Sequence, residues 1–270
     1  MHKQLRPKEF PMRKVPLTIC TLLLVTIACN GSHVRLPASS SGDTAVPVQP
    51  PVAVPPSTPQ PIDSTPEATA TPAVTTGARD WSFDADSANA PPPGFSFSRT
   101  GSGAQGRWVI HADTGAPSGS NVLAQLDANA TDYRFPIAVA NEPLLRDGSV
   151  SVRCKPVSGK VDQACGLVFR YRDADNYYVT RANALENNVR LYHVVKGDRQ
   201  QFAGWNGKVS TGHWHSLRVD AKRDHFEVYW EDKKVIDAHD ATFSEAGKIG
   251  VWTKADSITY FDDLRAEPTP

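Results

Sequence analysis

The stretch Ala164–Val195, A-C-G-L-V-F-R-Y-R-D-A-D-N-Y-Y-V-T-R-A-N-A-L-E-N-N-V-R-L-Y-H-V-V, decides the fold. It reads as three consecutive β-strands, 165–171, 177–183 and 189–195. Asp173, Asp175 and Asn176 break the first pair, and Asn187 with Asn188 breaks the second. Asp and Asn side chains bond nearby backbone and tolerate left-handed geometry, so such clusters end strands. Between the breaks the runs are rich in Val, Tyr, Phe and Leu, which suit a pleated, half-buried surface.

Successive strand residues point to opposite faces. The first strand should therefore place Leu167, Phe169 and Tyr171 on one side and Val168, Arg170 and Arg172 on the other. The second places Tyr177, Val179, Arg181 and Asn183 together. If Arg170 and Arg181 are cross-strand neighbours, two guanidinium groups lie beside an amide and a Tyr ring. That surface could hydrogen-bond and stack on a sugar. The plainer alternative is a solvated face whose Arg stems cover apolar surface.

Outward from this centre the same pattern repeats. Short alternating runs follow Trp81, Phe95, Arg107, Val122, Tyr133, Ser149, Phe202, His213, His225, Lys234, Lys248 and Ile258, with turn residues between them. The only helical periodicity, at 182–188, is defeated by the Asn pair. Many short strands with turns between them indicate an all-β sandwich or barrel. About 190 residues exceed an immunoglobulin-like sandwich and suit a larger double-sheet jelly roll.

The N-terminal part is different in kind. Lys3, Arg6, Lys8, Arg13 and Lys14 precede an apolar run, 15–28, that ends at Cys29, the layout of an export signal. The run is too short for a comfortable membrane span. Its end, V-T-I-A-C, resembles a bacterial lipobox, which implies cleavage after Ala28 and a lipid on the Cys29 thiol. From Gly31 to about Gly77 the chain is mostly Pro, Ser, Thr, Ala and Val. Such a segment reads as a disordered, semi-stiff tether. The expected organisation is a lipoprotein signal at 1–28, a tether at 29–78 and one folded domain at 79–267. The expected location is a bacterial cell envelope, with the domain lipid-anchored on the periplasmic or surface side.

Twenty-nine basic residues balance twenty-nine acidic ones. Bulk charge therefore favours neither nucleic acid nor acidic membranes. Cys154 and Cys165 flank a loop containing Pro156 and Gly159. In an exported domain they can close a disulfide across a hairpin; the alternative is two independent buried thiols. Two Cys with no nearby His pair do not make a zinc set. His213 and His215 would share a strand face around Trp214, a spacing that more often marks a solvated edge than a metal site. No metal or other cofactor is expected, except that Asp84, Asp86, Asp262 and Asp263 could hold calcium through oxygen ligands if the terminal strands are neighbours.

Catalytic motifs are scarce: there is no G-x-S-x-G elbow, H-E-x-x-H helix or phosphate loop. Glycoside hydrolysis needs two facing carboxylates. Glu186, Glu227, Glu231, Asp256, Asp262 and Asp263 are available, and none forms a closely spaced acidic strand face. Glu186 is the candidate acid or base, because it lies in a turn beside Asn183.

The segments F-R-Y-R-D-A-D-N-Y-Y-V-T-R-A-N, N-V-R-L-Y, W-H-S-L-R-V, G-K-I-G-V-W-T-K-A-D-S and Y-F-D-D-L resemble the concanavalin A-like jelly-roll domains of bacterial exported proteins, specifically the 3-keto-disaccharide hydrolase and laminarinase-like families. The resemblance covers most of 80–266 and implies a two-sheet jelly roll with a curved sheet and a carbohydrate-related role. It carries over no catalytic residue, since the E-x-D-x-x-E strand of laminarinase-type enzymes is absent. Three functions follow in order: a tethered glycan-binding module using Arg170, Tyr177, Arg181 and Asn183, extended by Trp252 and Lys254; a glycoside hydrolase acting on a disaccharide or glucoside; and a non-catalytic envelope domain that binds another protein.

Overall fold

The structure, a computed structural model, describes residues 77–269. The export signal, Cys29 and nearly all of the tether lie outside the described residues. Among those described, every regular element is a strand.

Two antiparallel sheets form the domain. The eight-stranded sheet runs β13 (Lys233–His239), β12 (His225–Trp230), β11 (His215–Lys222), β6 (Gly148–Ser158), β15 (Ile258–Pro268), β4 (Asn121–Gln125) and β3 (Trp108–Ala112), with the short β1 (Arg79–Trp81) also paired to β15. The seven-stranded sheet runs β10 (Asp198–Asn206), β9 (Asn188–Val195), β8 (Asn176–Asn183), β7 (Ala164–Asp173), β14 (Lys248–Trp252), β5 (Arg134–Ala140) and β2 (Phe95–Gly101). Their inner faces meet in one core in which Val150, Val152, Leu167, Phe169, Tyr178, Leu217, Val219, Phe226 and Phe261 pack together. Fully burying one such side chain contributes about 1.5–3 kcal/mol.

The two sheets differ in how they face outward. β6 and β11 alternate buried with half-exposed residues, as a sheet with one wet face does. β5, β7 and β8 are buried almost continuously. The reason is a second apolar cluster on the far side of the seven-stranded sheet, with Phe135, Ile137, Val168, Tyr177, Val179, Tyr192 and Trp252 as members.

Three local expectations change. Cys154 and Cys165 do not sit across a hairpin. Cys154 is on β6 and Cys165 on β7, in different sheets, and their sulfurs are bonded through the core with Cα atoms 6.2 Å apart. Phe83 follows β1 instead of continuing it; a φ of 63° turns its ring into the core against Phe95. The third change concerns Arg170. Its φ of 46° and the register shift between Phe169 and Asp173 make a bulge that inverts the alternation of β7. Tyr171 therefore joins the outer apolar cluster, and Arg170 turns inward.

Buried Arg170 is a structural plug. Its guanidinium lies 5.1 Å from the Phe226 ring, donates to the carbonyls of Arg146, Phe243 and Arg223, and pairs with Asp147. Burial pushes its pKa down from the ordinary Arg value. It does not reach Arg181, whose neighbours across the ladder are Gly166 on β7 and Arg190 on β9.

Candidate carbohydrate-binding face

The outer side of the seven-stranded sheet has an apolar floor and a polar crown. In the floor the rings of Phe135 and Trp252 stack at 5.2 Å. The Trp252 indole N–H donates to the Tyr177 hydroxyl, 3.3 Å away, which also bonds Thr100. Trp252 and Tyr177 are both fully buried. They brace the face from beneath, and neither exposes a ring on which a sugar could stack, contrary to the expectation for these two residues. Burial drives the Tyr177 phenol pKa well above its usual value, so it stays a neutral hydrogen-bonding group.

The crown is built from side chains that share a face. On β8, Tyr177, Val179, Arg181 and Asn183 do point the same way, and the register adds Val194, Tyr192, Arg190 and Asn188 from β9. Arg181 is only 4% exposed. Its Nη1 donates to Asn188 Oδ1, and its Nη2 donates to Glu186 Oε2 (2.8 Å) and the Tyr192 hydroxyl (3.0 Å). Glu186 Oε2 also accepts from Asn188 Nδ2. Partial burial pushes the Glu186 carboxyl upward, but the Asn188 hydrogen bond and the Arg181 guanidinium outweigh it and hold the pKa below the ordinary Glu value. Glu186 is thus an ionised acceptor at neutral pH, with a side chain 47% exposed.

Asn183 organises the turn that presents Glu186. Its Oδ1 accepts from the amides of Leu185 and Glu186, and its Nδ2 donates to Asp162 Oδ1. Asp162, 1% exposed, also pairs with Lys254 Nζ at 3.2 Å, and Lys254 reaches Asp132 at 2.6 Å. Burial pushes the Asp162 carboxyl above its ordinary value against the pull of Lys254 and Arg181. The loop carrying Asp162 is held by Asp256, whose carboxylate accepts the amides of Lys160, Val161 and Asp162.

Arg199, from the edge strand β10, lies over the floor. Its guanidinium carbon is 4.5 Å from the ring centroids of both Phe135 and Tyr192. Two buried guanidinium nitrogens of the crown, Arg181 Nε and Arg199 Nη1, have no hydrogen-bond partner within the protein. An unpartnered buried donor costs about 1–3 kcal/mol.

Of the residues expected here, Tyr177, Arg181, Asn183, Glu186, Trp252 and Lys254 come together, and Arg170 does not. Asn188, Tyr192, Asp162 and Arg199 are the additions. Asn188 and Tyr192 were within reach of the sequence, because the tight β8–β9 turn mirrors Asn183 onto Asn188 and Val179 onto Tyr192. Nothing local marks Asp162 or Arg199.

Other candidates disperse. His213 lies in the turn before β11, while His215 bonds Glu231 and the Ser210 carbonyl. Glu227 is held by Lys234 and Tyr229. Of the four aspartates, Asp262 and Asp263 share the Ser118 hydroxyl, while Asp84 accepts the amides of Ser120 and Asn121 on the same loop.

No family model matches the chain. A levanase of Bacillus subtilis (strain 168) is 32% identical over 107 residues, 38% of this chain, and the match spans 15% of that relative's length. The solved structure of a carbohydrate-binding module, CBM66, from Bacillus subtilis is similar over 66% of this chain and 98% of its own, with 22% identity and a TM-score of 0.52. The chain shares with that module the two-sheet β-sandwich fold.

Proposed function

We propose that the polar crown on the seven-stranded sheet binds carbohydrate, and that the domain is tethered to a bacterial membrane by a lipid on Cys29. The observation that carries the first part is the ionised, half-exposed Glu186 carboxylate held by the Arg181 guanidinium on the same face as Arg199 and its apolar floor. Sugar hydroxyls donate and accept at once, and a face holding fixed donors (Arg181, Arg199) and a fixed acceptor (Glu186) over an apolar floor matches that pattern. The levanase relative points to levan, a fructose polymer, as the first ligand to test. Calorimetric titration of the chain with levan, alongside a glycan array, should give binding that Arg181→Ala weakens at least tenfold. No binding to any glycan would sink the reading.

The lipid anchor is supported by the V-T-I-A-C sequence alone. Cys29→Ser should move the chain from the membrane fraction to the soluble one. Calcium held by Asp84, Asp86, Asp262 and Asp263 is a further part of the proposal, supported by Asp262 and Asp263 converging on the Ser118 hydroxyl. Stabilisation by calcium and its loss on chelation would test this.

A second reading, hydrolysis of a disaccharide or glucoside, including a 3-keto-disaccharide, has one observation in its favour. Asp162 and Glu186 sit in one network with pKa values pushed in opposite directions, as acid and base partners are. Against it, Asp162 is enclosed by Asn183 and Lys254. Turnover of such substrates that disappears in both Asp162→Asn and Glu186→Gln would put this reading first.

A further inference from the structure

On the opposite sheet, the β12–β13 hairpin brings four metal-ligating residues into a rectangle. The ladder pairs His225 with His239 and Glu227 with Asp237. Phe226, Val228 and Ile236 fill the core, so the four polar side chains share the outward face. Ligand atoms of His225, Glu227 and Asp237 lie within 4.8 Å of one another. Tetrahedral metal–ligand bonds of about 2.0–2.2 Å put ligand atoms about 3.4 Å apart, so side-chain rotation must draw the three together by up to about 1.4 Å. All three side chains are partly or fully solvent-accessible; His225 Nε2 and Asp237 Oδ1 are already 2.7 Å apart, and an ion would have to displace Lys234 from both carboxylates.

Two further details bear on the site. Lys234 Nζ sits 2.8 Å from both Glu227 Oε1 and Asp237 Oδ2, so a cation already occupies the space between the carboxylates. The Tyr229 hydroxyl donates to Glu227 Oε2 at 2.9 Å, leaving Oε1 as the oxygen turned to that space. A hydrogen bond from outside the ligand set fixes a ligating carboxylate in this way. The His239 ring stacks on that of His225 at 4.5 Å, near enough to supply a fourth ligand by side-chain rotation.

We propose that this hairpin face binds a divalent first-row transition ion such as zinc through His225, Glu227 and Asp237, with the Lys234 ammonium as a tethered competitor. Imidazole among the ligands selects this class over calcium and magnesium, which take oxygen. β13 is the outer strand of its sheet, so the ion would clip an edge hairpin, on the sheet opposite the sugar face.

The test is cobalt and zinc titration of the tag-free, full-length chain in detergent at pH 7, read by visible absorption and calorimetry. One equivalent should bind. His225→Ala and Asp237→Asn should each weaken it at least tenfold, and Lys234→Met should tighten it at least tenfold. Unchanged thermal unfolding midpoints without metal would show that the variants fold. Absence of uptake at millimolar metal, uptake indifferent to His225→Ala, or no tightening in Lys234→Met would each overturn the assignment.

Discussion

Arg181 is where the reading of the crown can be tested most sharply. Its guanidinium makes three hydrogen bonds, to Asn188, Glu186 and Tyr192, and keeps one nitrogen unpartnered. Replacement by Lys keeps a positive charge but removes the planar fork, because an ammonium is a single point donor. Hydrogen bonds to charged groups contribute about 1.5–3 kcal/mol each. One such bond to a ligand hydroxyl is worth about 10- to 150-fold in affinity. Arg181→Lys should therefore lose that factor towards levan or whichever glycan binds, and Arg181→Ala at least as much. Arg181→Ala should also release Glu186 towards the ordinary Glu pKa, since the guanidinium is one of the groups holding it down, while Arg181→Lys keeps the charge. Calorimetry gives the affinity, and NMR titration of the Glu186 carboxyl gives the second readout. A drop in affinity with an unmoved carboxyl pKa in Arg181→Ala would mean that Arg181 acts through the fold. An affinity unchanged in Arg181→Lys would refute the fork argument altogether.

Other consequences can be checked in solution. Burial pushes the Asp262 carboxyl up to about 6, above its unfolded value, so it favours folding when protonated. In the absence of calcium, stability from this group is full below pH 4 and is lost as pH rises through about 6. Asp262→Asn should remove that slope and raise metal-free stability at pH 7 by up to about 3 kcal/mol, measured by denaturant titration. Arg170→Leu removes the donor shared by the Arg146, Phe243 and Arg223 carbonyls, and should cost at least about 3 kcal/mol while leaving any surviving glycan affinity unchanged. Cys154→Ser with Cys165→Ser opens an 11-residue separation and should cost about 3 kcal/mol by chain entropy, read as a lower unfolding midpoint without reductant.

Much of the fold is visible in alternation alone. Ser149 to Cys154 and His225 to Trp230 alternate in the sequence as they do in the sheet, because one side of each strand meets the core and the other meets water. The seven-stranded sheet is harder to read, since its strands are buried on both sides and their periodicity is weak. Arg170 shows the limit. A positive φ at an arginine has no local sequence signal. The bulge brings its backbone close to Gly247, where a Cβ would approach the Arg170 carbonyl carbon to 2.4 Å. The Cys154–Cys165 pair forms as the spacing allows, but between sheets and not across a hairpin, for a related reason. The Lys155–Gln163 segment has turn residues at its far end, and spacing does not reveal whether a turn returns to the same sheet or crosses to the other. Arg199 and Asp162 reach the crown through tertiary placement, which no window of residues around either one encodes.

The Arg170 plug also constrains the order in which the domain can be completed. Its acceptors at Arg146, Arg223 and Phe243 span most of the second half of the chain. As the polypeptide is made from its N-terminus, the guanidinium must wait, hydrated, until the last of those carbonyls arrives. The apolar end against Phe226 stays open until then, and the last carbonyl arrives just ahead of β14 and β15, the interior strands that complete both sheets, so plug and sheets close together at the end of the chain.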